Sequence, residues 1–539
     1  MSKSTQESIK LSVYTKALID LLKSIKPKPK ADELSKVEVS STASFFGLFY
    51  EKLRNSIEYK EQNLIRRSAI ERILKRRLAL NPTGKDEAEN LIRELLWARY
   101  FPPGSLTYSD ISQVQQLLDK YIVFYRKTAR GKSRQDKILI SEFIMSLLSC
   151  EIEETLAPEQ SLKQEYFNYF VFQVLKGRIK FEDLTDESLQ ELYVFAAVDK
   201  TFSKSDTHYL RYHIFKLLYG RLQDLSQSDL NKLALTFLKE IKLINSAISS
   251  SYLDQLSKFV KFDRPAFYIL QDLFDQNLKD IERILTNEAV LREKVVEICN
   301  MRYEQTQKKL SSAAFKSLVY VFVTKMLFAI ILEFPLSAFL YGQVEYFPIV
   351  INSLFPPTLL YIIVSLTNVP SHDNTERIYE RIVDIINADA SYERAKVFVT
   401  RKPKEKKPIL KLGFTIFYGF TFFVVLLLIS NLLDLLNFNL ISKSLFIFFV
   451  SVVSFFAYRV RGIANEYRVI YKRPIFSPII DFFSMPILSL GKFFSQEIGR
   501  LNFFIIIFDF LIEAPFKLLV EIIEEWVRFV RTKKEEIMP

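Results

Sequence analysis

The chain has 539 residues, 49% of them hydrophobic, and its 74 basic and 62 acidic residues give a formal net charge of +12. Two cysteines, Cys150 and Cys299, are too few for a disulfide framework or a multi-cysteine zinc site. The averages conceal a change near residue 312, because the chain is charged and mixed before that point and dominated by Phe, Ile, Leu and Val after it. We therefore expect an integral membrane protein with two regions of different solvent preference.

Residues 1–310 are predicted to form a helical cytoplasmic domain. Lys and Asp interrupt the apolar positions of the first 30 residues, which therefore do not resemble a secretory signal. Helical periodicity continues through the domain, and the hairpin dipeptides Asn-Gly and Asp-Gly are both missing from the sequence. The fold class is therefore all-α.

Three stretches carry helix N-cap patterns: "LTYSDI" from Leu106, "LTDESL" from Leu184 and "LSQSDL" from Leu225. They begin 78 and 41 residues apart, close to multiples of one helical-hairpin repeat. Stacked helical hairpins and an irregular helical bundle both fit these starts. We favour the bundle.

A basic helix is predicted around "IERILKRRL", which begins at Ile70. Such a helix could contact anionic lipid or RNA, although the solvated face of a packed helix is the favoured interpretation. Nucleic acid is not needed to explain the net charge, since basic residues beside the membrane segments supply much of it. The basic residues concerned are Arg66, Arg67, Arg72, Lys75, Arg76 and Arg77.

Catalytic and cofactor motifs are missing from the sequence. "GKS" at Gly131 resembles the end of a phosphate loop, but Arg126 stands where that motif needs glycine. His208 and His213 lie five residues apart, on different helix faces, and His372 lies in a later connection. We expect satisfied or exposed histidines and no cofactor, and the question of enzymatic activity stays open.

Four segments approach the 20 apolar residues that a membrane span requires. A long charged helix, Gln276–Leu310, is predicted to run towards the first of them. The predicted spans are Ser317–Leu340, Tyr346–Leu366, Leu412–Leu433 and Phe438–Tyr458. The resulting organisation is a cytoplasmic domain (1–310), two transmembrane pairs (311–370 and 412–458), a basic cytoplasmic connection (371–411) and C-terminal cytoplasmic or interfacial helices (459–539).

Basic residues follow the second and fourth spans, whereas the other connections contain only Lys443. The positive-inside rule then places both termini in the cytoplasm of a multi-pass protein of the inner or plasma membrane. We expect contacts with anionic lipid headgroups from Arg401, Lys402, Lys404, Lys406, Lys407, Arg459 and Arg461.

The chain remains apolar beyond the fourth span, but charges such as Asp481 and Lys492 interrupt it. Re-entrant or interfacial segments are therefore expected over residues 476–511. The last helix is predicted to be amphipathic, lying flat on the membrane or packing on a partner. Its apolar stripe comprises Leu518, Leu519, Ile522, Ile523, Trp526, Phe529 and Val530.

The stretch "TKMLFAIILEFPLSAFL", residues 324–340, places Lys325 and Glu333 in an apolar background. Eight residues of α-helix separate them by about 12 Å and about 80°, so we expect neighbouring helix sectors without direct contact. With Asn352 and Ser353 of the second span they form a candidate intramembrane polar site. Either the site is functional, or Lys325 reaches the headgroups while Glu333 bonds Asn352 or Ser353 and fastens the helices. The second alternative is favoured.

Two functions follow from this organisation. The first is a multi-pass, membrane-anchored scaffold or adaptor whose helical domain recruits a protein partner. The alternative is a transporter or channel-like protein with its polar site in the first two spans, which would require a homo-oligomer because four spans rarely enclose a conduit. An enzyme acting on lipid is least favoured, because no nucleophile or acid–base set is visible.

Overall fold

The structure is a computed structural model, and the residues that it describes form helices and two three-residue strands, joined by turns and connections. The chain divides into two compact units. The helical unit comprises 10–264, 385–402 and 507–539, and the membrane unit comprises 1–9, 265–384 and 403–506. The described residues are 9–26, 36–37, 62–342, 344–367, 370, 372–388, 398–401, 408–469, 477–500, 522, 526, 529, 530 and 533.

The helical unit is built around α5, on which α2, α4 and α8 pack. The apolar residues of α5 form one of the most deeply buried parts of its core. The helices described in this unit up to residue 250 are α1 Val13–Ser24, α2 Gln62–Leu80, α3 Glu87–Trp97, α4 Tyr108–Ala129, α5 Arg134–Leu156, α6 Pro158–Lys176, α7 Glu187–Thr201, α8 Thr207–Tyr219 and α9 Gln227–Ile248, with a 3₁₀ turn at Leu222–Asp224.

The three predicted helix starts are confirmed. Thr107 caps α4 in a reciprocal capping box with Asp110, and Ser226 caps α9 through the backbone N–H of Asp229. At the start of α7 the cap is Asp186 rather than the neighbouring Thr185. Each cap satisfies a backbone N–H that the first helical turn leaves without a partner.

A small parallel sheet in the helical unit was not predicted. Strand β1, Ile179–Phe181, pairs with β2, Phe398–Thr400, which comes from the connection between the second and third spans. The rings of Phe259 and Phe398 stack 4.6 Å apart beside this pair. A segment of the basic connection is thereby packed into the helical unit.

Helix α10, Ser251–Asn277, contains the boundary between the units at residue 264. The membrane unit continues with α11 Ile281–Thr286, α12 Glu288–Phe328, a π-helical segment Ala329–Glu333, α13 Phe334–Tyr341, α14 Tyr346–Ser365, α15 His372–Ile386, α16 Pro408–Asp434, α17 Leu440–Ala464 and α18 Ser477–Arg500. Helix α15 ends two residues beyond the boundary at 384.

Four helices among the described residues are long and apolar enough to cross a membrane, as predicted. The first of them begins outside the apolar region: α12 starts at Glu288 and continues without interruption into the apolar segment. The predicted single helix Gln276–Leu310 is wrong at its beginning, because α10 ends at Asn277 and Asn287 caps a new helix. An asparagine cap favours a new start at this position.

Helix α18 packs along α17 and passes very close to it at Gly491. A Cβ at this glycine would lie 2.0 Å from the backbone oxygen of Ser451, and the rings of Phe448 and Phe494 are 4.9 Å apart nearby. Residues 477–500, expected to be re-entrant or interfacial, thus form one continuous helix beside a membrane-length neighbour. The remainder of that predicted segment, 501–511, lies outside the described residues.

The predicted stripe of the last helix is described at four positions. Ile522, Trp526, Phe529 and Val530 are helical and exposed. The other three stripe residues, Leu518, Leu519 and Ile523, lie outside the described residues.

Candidate functional site

The polar groups of the first two spans form a compact buried cluster. Lys325 Nζ donates to Glu333 Oε2 at 2.8 Å, and Asn352 Nδ2 donates to Glu333 Oε1 at 2.7 Å and to the backbone oxygen of Ser442 at 3.1 Å. The exposed fractions of Lys325, Glu333 and Asn352 are all 0%. The cluster connects α12, the π-helical segment, α14 and α17.

Direct contact between Lys325 and Glu333 contradicts our expectation from α-helical geometry. The cause is the π-helical segment Ala329–Glu333, which lies between them. A π turn holds more residues than an α turn, so each residue advances through a smaller angle and Glu333 turns back towards Lys325. Lys325 does not reach the headgroups either, because its ammonium lies 5.0 Å from the ring centre of Phe449 and is fully buried.

Ser353, the fourth predicted member, lies beside this cluster and lines an apolar groove of about 510 Å³ between α12–α13 and α14. A second pair of polar residues, which we did not predict, extends the contacts. Asn439 Nδ2 donates to Ser337 Oγ at 3.0 Å, and Asn439 Oδ1 accepts from the Ser442 backbone N–H at 2.8 Å. Polar bonds of this kind hold membrane helices together.

The predicted headgroup contacts are only partly described. Arg459 and Arg461 are exposed near the C-terminal end of α17. Arg401 follows β2 in the helical unit, with its side chain 65% exposed and a guanidinium nitrogen 3.8 Å from Glu182. Lys402, Lys404, Lys406 and Lys407 lie outside the described residues.

Two residues of the basic face of α2, Arg66 and Arg67, are turned inward, so the favoured expectation of a solvated face is wrong for them. Arg66 Nη2 lies 2.5 Å from Glu153, and Arg67 lies 2.9 Å from Asp206. Both arginines are buried. Arg67 also pairs with Glu71 one turn along the same helix. Glu153 and Asp206 are distant in sequence, so the pairing with them could not be read from the local sequence.

The sequence analysis missed a buried carboxylate–tyrosine cluster in the helical unit. Three glutamates near the C-terminal end of α5 each accept a hydrogen bond from a different tyrosine: Glu151 from Tyr121 at 2.5 Å, Glu153 from Tyr209 at 2.9 Å and Glu154 from Tyr212 at 2.7 Å. The signal was present in "CEIEET" and "HYLRYH", since acids follow an apolar run and aromatic residues recur at helical spacing.

Basic groups complete this cluster. Lys216 Nζ lies 3.0 Å from Glu154, and His213 Nδ1 lies 2.9 Å from Asp199. His208 Nδ1 lies 2.9 Å from Ser146 Oγ, so the two histidines have partners, as expected. Among the described residues, no group of three or more His, Cys, Asp and Glu could hold a metal ion.

Burial and pairing shift the pKa values here in opposite directions. Burial raises the pKa of Glu151 and of Glu153, despite their bonds from Tyr121 and Arg66. Burial acts in the same direction on Glu154, but His213, Lys216 and Tyr212 outweigh it and lower its pKa to about 2. Burial disfavours a charged His213, yet Asp199 and Glu154 prevail and raise its pKa to about 10. His213 therefore carries its charge at neutral pH, and Glu154 is ionised.

No known protein family, curated protein or solved structure matches the chain. Its function must therefore be argued from these two clusters.

Proposed function

We propose that this protein is a multi-pass, membrane-anchored scaffold or adaptor whose helical unit recruits a cytoplasmic protein partner. The observation that carries the proposal is the fully buried network of Lys325, Glu333 and Asn352. Polar groups of a permeation pathway face water or a substrate. Here they bond to one another across two helices, and Asn352 also donates to the Ser442 backbone of a third helix. Polar residues fasten membrane helices together by bonds of this kind.

The basic ends of the membrane helices support the orientation that we propose, with both termini in the cytoplasm of a cell membrane. Arg459 and Arg461 lie exposed at the end of α17, where anionic headgroups of the inner leaflet would attract them. Arg401, exposed after β2, is a further candidate for such contact.

Thiol labelling in intact cells tests the anchor. The variant Ser337→Cys places a thiol at a position that is 1% exposed, and Glu345→Cys places one in the connection predicted to face outside. Cys150 and Cys299 are both buried, so the unmodified chain gives the background. We expect a membrane-impermeant maleimide added outside to label Glu345→Cys and to spare Ser337→Cys.

Labelling of Ser337→Cys as fast as Glu345→Cys would contradict the anchor, because it would show water reaching the cluster from outside.

Recruitment of a partner is tested separately. After cross-linking in cells, the full chain should co-purify with a cytoplasmic protein, and the triple variant Lys325→Met, Glu333→Leu, Asn352→Leu should retain that partner whenever it reaches the membrane.

The alternative is a transporter or channel-like protein with a polar site in its first two membrane helices. One observation favours it: the π-helical segment at Ala329–Glu333 precedes Pro335, and interrupted helices beside buried charges form transport sites. A homo-oligomer would be needed to enclose the pathway. The same triple variant would then abolish transport, whereas a scaffold would keep its partner.

A further inference from the structure

We propose that the intramembrane cluster binds one water molecule, held by the side-chain oxygen of Asn352. Asn352 is fully buried, and both hydrogens of its amide are used, on Glu333 Oε1 and on the Ser442 backbone oxygen. Within the described parts of the chain, no group donates to Asn352 Oδ1. Leaving a buried carbonyl oxygen without a donor is unfavourable, so a bound donor is expected there.

Rotating the amide does not remove the need for a donor. Exchanging oxygen and nitrogen would direct Asn352 Oδ1 at the Glu333 carboxylate and the Ser442 carbonyl, which are both acceptors. That arrangement would replace two hydrogen bonds by two repulsive contacts. The neighbours of Asn352 therefore fix its amide orientation and leave the oxygen as the group that requires a ligand.

The surroundings select a neutral ligand. The Lys325 ammonium belongs to the same cluster, through Glu333, and it disfavours a second cation. An anion or a bare carbonyl cannot donate to Asn352 Oδ1. Water donates, is neutral and can also accept a hydrogen bond, and buried waters occupy sites where polar groups would otherwise stay unpaired.

This inference does not depend on the scaffold proposal. A fixed water satisfies a buried amide in an anchor as well as in a pathway. Its presence would identify Asn352 as a residue that holds solvent within the membrane unit, whatever the protein does with its partner.

A crystal structure of the full chain, at a resolution that shows ordered waters, tests the proposal. We expect a density peak about 2.5–3.0 Å from Asn352 Oδ1. Asn374 is the matched control: it is 3% exposed, its Nδ2 donates to Tyr303 Oη and to the Tyr467 backbone oxygen, and its Oδ1 already accepts from the Val469 N–H at 2.7 Å. No water should be bound to Asn374 Oδ1.

A second crystal, soaked in thallium(I), identifies the ligand. Water leaves no anomalous signal beside Asn352, and this is the expected result. An anomalous peak at that position would show a monovalent cation and overturn the proposal. A well-ordered Asn352 without any peak near its oxygen would overturn it equally.

Discussion

The membrane unit and the helical unit each bury charged residues, but they do so with different degrees of redundancy. In the membrane unit Lys325 is hydrogen-bonded to Glu333 alone among the described residues. In the helical unit Arg66 donates to both Glu153 and Gln160, and other acids of the same helix have partners of their own. Losing one partner should therefore cost most where no second partner exists, since an isolated buried charge is far less stable than a paired one.

The largest effect is expected from Glu333→Leu, which removes the acid that accepts from Lys325 and leaves the buried ammonium with the Phe449 ring, 5.0 Å away, as its remaining described neighbour. We expect the free energy of unfolding in detergent to fall by about 3–5 kcal/mol. The double variant Lys325→Met, Glu333→Leu removes both charges and should recover most of that loss. A double variant as unstable as the single one would show that pairing is not what the cluster contributes.

A smaller loss is expected from Glu153→Leu in the helical unit. Arg66 keeps a hydrogen bond to Gln160 Oε1 at 2.9 Å and lies 5.5 Å from the ring centre of Phe101, so its charge is not left alone. We expect the free energy of unfolding of the full chain, measured with denaturant, to fall by about 3 kcal/mol. Glu159→Leu, which removes an exposed pair with Lys163, is the control and should change stability by less than about 1 kcal/mol. Equal losses of stability in Glu153→Leu and Glu159→Leu would contradict this prediction, because the buried pair would then contribute no more than the exposed pair.

The folded chain should become less stable in mild alkali, because His213 loses its charge as the pH rises. Its pKa is raised to about 10 in the folded chain, above the ordinary value of 6.5. Its contribution is therefore complete below about pH 6.5 and is lost as the pH rises towards 10, by on the order of 2 kcal/mol between pH 7 and pH 9. Unfolding midpoints measured across this range should decline more steeply for the wild type than for His213→Gln. Parallel declines would exclude His213 as the source.

The smallest effect is expected from Tyr212→Phe, because Glu154 keeps Lys216 at 3.0 Å. The loss of one hydrogen bond should cost about 1 kcal/mol. Tyr121→Phe provides the comparison. Glu151 would then keep only the backbone N–H of Gln223 at 3.1 Å, because no basic side chain is bonded to it among the described residues. Thermal unfolding should rank Tyr121→Phe as the more destabilising change, and the reverse order would show that redundancy does not set the cost.

The membrane cluster was visible in the sequence because charge is rare among apolar residues. Lys325 and Glu333 stand out from their neighbours for this reason, and Asn352 stands out as a polar amide. The four apolar helices were identified by length and composition alone. Contact between Lys325 and Glu333 was not predictable from α-helical geometry, because the π-helical segment changes the angle between them.

The cluster of the helical unit was not predicted, because charged residues are common in that part of the sequence. Acids and arginines are common on helical surfaces, so Glu151 and Arg66 resemble solvated residues until their partners are known. Those partners are 30 and 87 positions away in the chain. The short strand pair joins residues even more distant in sequence, and three residues are too few to produce a periodic pattern.

Helix α12 fixes the rotation and the distance between two contacts in the membrane unit. Its polar half places Tyr303 against Asn374, and the same unbroken helix carries Lys325 into the cluster that contains Asn352. One residue inserted between Tyr303 and Lys325 would rotate the second contact by about 100° relative to the first, whereas seven residues would nearly restore the angle but add about 10 Å of length. The two contacts thus fix the number of residues between them, so insertions and deletions should be tolerated far less in this helix than in the loops.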